Sequence, residues 1–231
     1  MPNSKSTPSS AATRSVSSSS LHRGVSHLKR ADPVLAGIIE RVGAFRPSLR
    51  PANFEAMVRS IVFQQLAGAA ARTIFERLRH ACERAGGAGQ PSPYDGGFMV
   101  TPHSILALTE EEMRACGLSR QKLSYLRDLA EKTRGGEIDF GRLGGLSDEE
   151  IIAQLTRVKG IGVWSAQMFL MFALGRMDVM PTADLGLNTA ICRAYRKRKV
   201  PKPPQVLKLA EPWRPYRSLA CWYLWRSLEI G

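Results

Sequence analysis

Lys159-Gly160-Ile161-Gly162-Val163-Trp164-Ser165-Ala166 joins two helical patterns by a turn of two glycines around one aliphatic residue. Ahead of it, Ser147 with Glu150 makes a capping box that opens a helix expected to run to about Val158. Behind it, the nearly apolar run from Val163 to Gly175 continues as a second helix, too short for a bilayer span of about 20 residues. The turn leaves backbone N–H groups uncovered where the second helix starts. Together with the helix dipole they favour a phosphate without reading base sequence. A Gly-x-Gly turn alone is weak evidence, since most such turns only connect helices. The downstream residues strengthen it: Met180-Pro181-Thr182-Ala183-Asp184-Leu185-Gly186-Leu187 is a loop that ends in an aspartate and begins another helix.

On either side the periodicity is helical almost throughout. Val34, Ile38, Ile39 and Val42 recur at helical spacing. So do Phe54, Met57, Val58, Ile61, Val62 and Leu66, in a run continuing through Ala69, Ala70, Thr73, Ile74 and Leu78. Residues 86–103 are rich in Gly and Pro and read as a loop. Thr109 with Glu112 caps a short helix stopped by Gly117, and Ser119 opens the next, with Leu123, Leu126, Leu129 and Ala130 on one side. No alternating segment of useful length competes, so the expected class is all-α. Residues 32–231 form one helical domain, with the hairpin at 147–175 and the aspartate loop at 176–187. Residues 1–31 are rich in Ser and carry five basic residues and no acid. They read as a disordered tail, with a composition that also resembles an organelle transit peptide.

The 231 residues include 33 Lys and Arg against 20 Asp and Glu, a formal charge of +13, and 44% are hydrophobic, enough for a real core. Cys82, Cys116, Cys192 and Cys221 lie far apart without a CxxC pair, which gives neither a disulfide framework nor a zinc knuckle and points to a reducing compartment. The tail accounts for five charges and leaves +8 for the remaining 200 residues. Most of that sits between Leu185 and Ala210, where seven cations (Arg193, Arg196, Lys197, Arg198, Lys199, Lys202 and Lys208) meet no acid. Such a patch fits a polyanion. It lacks the apolar stripe and interfacial aromatics of a membrane-surface helix, so nucleic acid is the expected partner and no membrane role is.

The hairpin, the loop and Asp184 together resemble the helix-hairpin-helix DNA glycosylase superfamily, most closely its alkyl-base branch, the DNA-3-methyladenine glycosylases. Ile61-Val62-Phe63-Gln64-Gln65-Leu66, Gly117-Leu118-Ser119-Arg120-Gln121-Lys122 and Trp213-Arg214-Pro215-Tyr216-Arg217-Ser218 carry the same resemblance, which covers roughly residues 30–230. It implies two helical subdomains flanking a cleft, and a monomer acting on damaged double-stranded DNA to initiate base excision repair. Asp184 matches the family's catalytic aspartate, which stabilises an oxocarbenium-like sugar and orients water. Its bland alternative is a helix N-cap, and Asp178, six residues earlier, reads as a loop residue.

The resemblance also assigns Trp164, Met168 and Trp225 to a pocket for the flipped base, where a cationic alkylated purine stacks on electron-rich rings. The resemblance puts Met168 where a bacterial member of the family has a tyrosine, and core packing is the alternative for all three. Gln65 takes the wedge position that fills the gap left by flipping, with Gln64 as a structural neighbour. Lys159, Gly160, Gly162, Arg196 and Arg198 are expected on the DNA backbone. Trp164 occupies the place of the Schiff-base lysine in strand-cutting relatives, so the expectation is a glycosylase without lyase activity. No metal or cofactor is expected, beyond a monovalent cation that the family's hairpin often holds on backbone carbonyls, here Arg157 to Gly162. The four-cysteine motif of the endonuclease III-like branch, which would hold an iron–sulfur cluster, has no match. Two alternatives stay open: a glycosylase for deaminated or oxidised bases, and a non-catalytic hairpin module. The expected place is intracellular: nucleus or organelle in a eukaryote, cytoplasm and nucleoid in a bacterium.

Overall fold

A computed structural model describes residues 18–45, 50–86, 91–93 and 95–230 of the chain. Its helices in order are α1 (Ser18–Ala31), α2 (Pro33–Val42), α3 (Phe54–Phe63), α4 (Gly68–Gly86), α5 (Pro102–Ala107), α6 (Glu110–Ala115) and α7 (Arg120–Arg134), then α8 (Asp148–Leu155), α9 (Val163–Phe172), α10 (Leu185–Ala194), α11 (Pro203–Ala210) and α12 (Arg217–Ser227). Short 3-10 turns lie at Leu143–Gly145 and Glu211–Trp213. The fold is all-α, and no strand occurs among the described residues.

The caps behave as the sequence predicts. Thr109 with Glu112, and Ser147 with Glu150, each form a reciprocal capping box, and Ser119 accepts the Lys122 N–H. Each satisfies backbone donors that a helix start leaves unpaired. Helices α3 to α7 pack on one another, α1, α2 and α10 to α12 form a second group, and α8 and α9 pair as the hairpin. One continuous core runs through both groups, from Leu28 to Leu224. A cleft of about 1450 Å³ opens between them, with walls from α3, α7, α9 and α12.

Two expectations need correction. The tail does not extend to residue 31: Ser18–Ala31 is a helix, and Leu28 is fully buried. Val25 and Leu28 turn toward the core, a pair that the segment's average composition hides. The first 17 residues of the proposed tail lie outside the described residues. The chain then passes into α2 through Asp32, whose Oδ1 accepts the Val34 and Leu35 N–H groups. Its Oδ2 accepts the Tyr195 hydroxyl at 2.6 Å and the Trp213 indole N–H at 2.9 Å, tying this N-terminal turn to the C-terminal helices.

The apolar run from Phe54 to Leu78 is two helices instead of one. It breaks after Phe63, where Gln65 adopts a left-handed φ of 56°. That conformation costs a non-glycine residue about 1–2 kcal/mol, so neighbouring structure must impose it.

Candidate active site and nucleic-acid interface

Asp184 is the N-cap of α10, so the bland reading of this residue is true as far as it goes: Oδ1 accepts the Leu187 N–H at 2.5 Å. The carboxylate also does more. Trp225 Nε1–H donates to Oδ1 at 2.9 Å, and Trp164 Nε1–H donates to Oδ2 at 2.7 Å. Three N–H donors thus complement its charge and fix its plane, and none of them is a cation. The two indoles come from α12 and α9, so the carboxylate ties the hairpin helix α9 to the second helical group at one point.

Trp164 is the second residue of α9, is 45% exposed and lines the cleft. Met168, one turn on, lines it too. Trp225 does not. Its neighbours Trp222 and Arg226 face the cleft, while Trp225 tilts against Phe172 with ring centroids 6.0 Å apart and gives its N–H to Asp184. Asp184 also lies outside the cleft lining, and the Trp164 indole bridges the two. Arg50, Arg59, Lys122 and Arg226 line the cleft, and no Asp or Glu does.

Asp178 has other work. Its carboxylate accepts Arg217 Nε at 2.7 Å and Arg214 Nη1 at 2.8 Å, and its carbonyl accepts Arg217 Nη2 at 2.7 Å. This clamps the loop before Asp184 onto the start of α12.

In the hairpin, Gly160 has φ 76°, and a Cβ there would fall 2.1 Å from the Tyr125 ring. Only glycine fits. Gly162 is different: nothing lies within 4 Å of its would-be Cβ, so its missing side chain leaves open space in front of α9. Helix α9 has no side-chain cap, unlike α7, α8 and α10. Among the described residues no acceptor meets the N–H of Gly160 or Gly162, whereas the Lys159 N–H, which the sequence leaves uncovered, is taken by Asp128 Oδ2 at 2.8 Å. Unpaired donors at an uncapped helix start suit an anion. The Lys159 side chain is exposed beside them.

Gln65 is exposed and lines the cleft on the turn between α3 and α4. Arg196 and Arg198 are exposed beyond the C-terminal end of α10. Ten helical residues separate them from Asp184, about 15 Å along the axis, so nearness in sequence does not bring them to the carboxylate. No cluster of His, Cys, Asp or Glu suited to a metal occurs among the described residues. The hairpin offers neutral carbonyls, of which Val158, Gly160 and Gly162 already accept the Ile161 N–H, the Gln64 amide and the Ala166 N–H. Carbonyl oxygens fit a hard, weakly charged cation, which would brace the turn and take no part in bond cleavage.

A carboxylate held by three N–H donors, an uncapped helix start behind a glycine turn and a basic cleft lie in one molecule, and residues 58–215 match the model of the HhH-GPD superfamily of base excision DNA repair proteins. The chain belongs to this superfamily. A DNA-3-methyladenine glycosylase of Schizosaccharomyces pombe is 35% identical over 92% of this chain and 90% of its own length. Among solved structures, a 3-methyladenine DNA glycosylase from that organism bound to abasic DNA aligns with a TM-score of 0.73 at 35% identity, over 88% of this chain and 95% of the other. A DNA-3-methyladenine glycosidase of Bacillus halodurans gives 0.75 at 32% identity, over 90% and 89%. The matched residues include both the hairpin and Asp184. Lys122 closes the 117–122 segment of the resemblance, but its bonds to the turn after α3 and the face of α7 it shares with Tyr125 and Asp128 escaped sequence reasoning. The signal was a polar stripe at a spacing of three on a helix otherwise read for its leucines.

Proposed function

We propose that the protein is a monofunctional DNA glycosylase that flips alkylated purines of the 3-methyladenine and 7-methylguanine type out of the duplex and hydrolyses their N-glycosidic bond, the first step of base excision repair. The observation that carries this is the Asp184 carboxylate, held by three neutral N–H donors and joined through Trp164 to a basic, acid-free cleft. An N3- or N7-alkylated purine is already cationic. When its bond to the sugar breaks, the bonding pair leaves with the base, which departs neutral and needs no general acid. The positive charge passes to the sugar, where a fixed carboxylate stabilises it. Water then adds to that carbon on the side Asp184 orients, and its proton goes to solvent.

Trp164 and Met168 are the cleft residues fit to hold the base, Gln65 to fill the vacated stack, and the Gly160 and Gly162 N–H groups to hold phosphate. Trp225 acts on Asp184 instead of stacking on the base. Lyase chemistry would need a free amine. Lys122 is the one lysine among the residues lining the cleft, and its ammonium is bound to two carbonyls. The enzyme works inside the cell, with the DNA.

Timed release of bases from methylated duplex DNA, wild type beside Asp184→Asn, tests the proposal. Wild type releases methylpurines, and the variant is slower by about 10²–10³. An equal rate in the two would overturn the assignment of Asp184, and trapping of a covalent enzyme–DNA adduct with borohydride would overturn the monofunctional reading.

A further inference from the structure

One stripe of α7 holds the turn that carries Gln65 and the hairpin that carries Gly160. Lys122, Tyr125 and Asp128 follow at a spacing of three, on a single face. Lys122 Nζ donates to Val62 O at 2.6 Å and to Gln64 O at 2.7 Å. These are carbonyls at the end of α3, which have no partner within the helix, and a cation there also suits the helix dipole. Burial lowers the affinity of this amine for its proton, so the two carbonyls are what make an ammonium acceptable in the cleft wall. Gln65, with its left-handed backbone, comes directly after the second carbonyl.

Three residues on, the Tyr125 ring backs Gly160 so closely that no side chain fits. Asp128 Oδ2 takes the Lys159 N–H while Oδ1 takes the Lys132 ammonium at 2.7 Å. Burial works against the Asp128 charge, yet those two partners prevail and hold its carboxyl below the usual range. The circuit closes across the cleft, where Gln64 Nε2–H donates to Gly160 O at 3.0 Å. The turn and the hairpin therefore share one rigid support and are also bonded to each other.

We propose that Lys122 is a positioning residue for nucleotide flipping: by binding the Val62 and Gln64 carbonyls it fixes Gln65 in its left-handed conformation, in register with the Gly160 hairpin. Insertion of Gln65 into the base stack and the hairpin's grip on phosphate then occur at one set separation. This rests on the reading of Gln65 as the wedge. A cap that served stability alone would weaken all DNA binding of the folded protein equally or not at all. A positioning residue weakens the binding that requires a filled gap.

The test uses the full chain as wild type, Lys122→Met, Lys122→Arg, Gln65→Ala and the double variant Lys122→Met/Gln65→Ala. Each is titrated with a duplex containing a tetrahydrofuran abasic site, and with the same oligonucleotide single-stranded. 2-Aminopurine opposite the abasic site reports entry into the stack, and thermal melts establish that each variant is folded. Lys122→Met is expected to weaken duplex binding about tenfold, to leave single-strand binding nearly unchanged, and to reduce the 2-aminopurine signal. Lys122→Arg keeps the charge and several donors, so it recovers most of the loss. The double variant binds the duplex no worse than Gln65→Ala, because both changes remove one interaction. Should the Met variant melt below the assay temperature, all titrations are repeated at a temperature below its transition, under the same criteria. Equal losses on duplex and single strand, no duplex loss in a folded variant, or full additivity with Gln65→Ala overturns the proposal. The wedge reading is judged separately: it fails if Gln65→Ala alone binds the abasic duplex as wild type does, whatever Lys122 variants do.

Discussion

Asp178 and Asp184 sit six residues apart in one loop, and their partners give them opposite work. Asp184 faces neutral donors only, so its charge remains available to a cationic sugar. Asp178 is spent on two guanidiniums, one of them, Arg217, nearly buried. Asp178→Asn leaves the Arg217 charge without its counterion. The expected loss of stability is about 1–3 kcal/mol, discounted from the cost at a fully buried pair because Asp178 is partly exposed. Its base-release rate per folded molecule stays near wild type. Asp184→Asn shows the reverse pattern, with an almost unchanged melting temperature beside a large loss of rate. Chemical denaturation and single-turnover base release, run on both variants, read the two effects independently. A rate lost in folded Asp178→Asn would count against this division. The choice between the two acids was legible in the sequence only through the motif around Asp184, since both are loop carboxylates. The indole N–H groups on Asp184 were not legible. Trp164 and Trp225 are 61 positions apart in the chain, and which part of a tryptophan is used is a matter of tertiary orientation.

At the scale of elements, what the sequence showed best was how helices start. Thr109, Ser119 and Ser147 act on backbone groups three residues away, so their effect is written locally. It showed least where distant structure decides. The break after Phe63 contradicts an unbroken apolar period, and it is held by an amine from α7 and a hydrogen bond from the Gln64 amide to the hairpin, both remote in sequence. Helix α1 was hidden for a different reason: serines and basic residues dominate its composition, and Val25 and Leu28 are the apolar residues that dock it on the core. Leu28 packs fully buried against the second helical group. Leu28→Ala is therefore expected to cost about 2–4 kcal/mol, lowering the melting temperature by roughly 5–15 °C in a domain of this size. Arg23→Ala, at an exposed position of the same helix, changes little. A silent Leu28→Ala in a thermal melt would mean that α1 contributes nothing to the fold.

The whole molecule answers to pH and to salt through different groups. Glu55 is 1% exposed, bonded to the Ser92 hydroxyl at 2.7 Å and the Val100 N–H at 3.2 Å. Burial raises its pKa, and those bonds together with the Arg79 charge only partly offset the rise. The folded state thus holds this proton more tightly than the unfolded chain, and stability from Glu55 is lost as pH rises from the unfolded carboxylate pKa through the folded one. Glu55→Gln is expected to be the more stable protein at pH 7, with the advantage shrinking toward pH 4 in urea melts. A constant difference across that range would mean that Glu55 titrates alike in both states.

Salt acts on the opposite sign of charge. The seven cations from Arg193 to Lys208 are all exposed, and none has an ion pair among the described residues. If about four of them reach phosphates, log affinity falls with log salt at a slope near −3.6 from those contacts. Arg196 and Arg198 follow the end of α10, about 15 Å from Asp184 along its axis, too far to touch the reacting nucleotide. Replacing Arg196 and Arg198 with Ala should therefore make the salt slope about 1.8 shallower, weaken damaged and undamaged duplex to the same degree, and leave the rate at saturating substrate unchanged. A fall in that saturated rate, with the slope intact, would place these two arginines at the chemistry instead of on the flanking backbone.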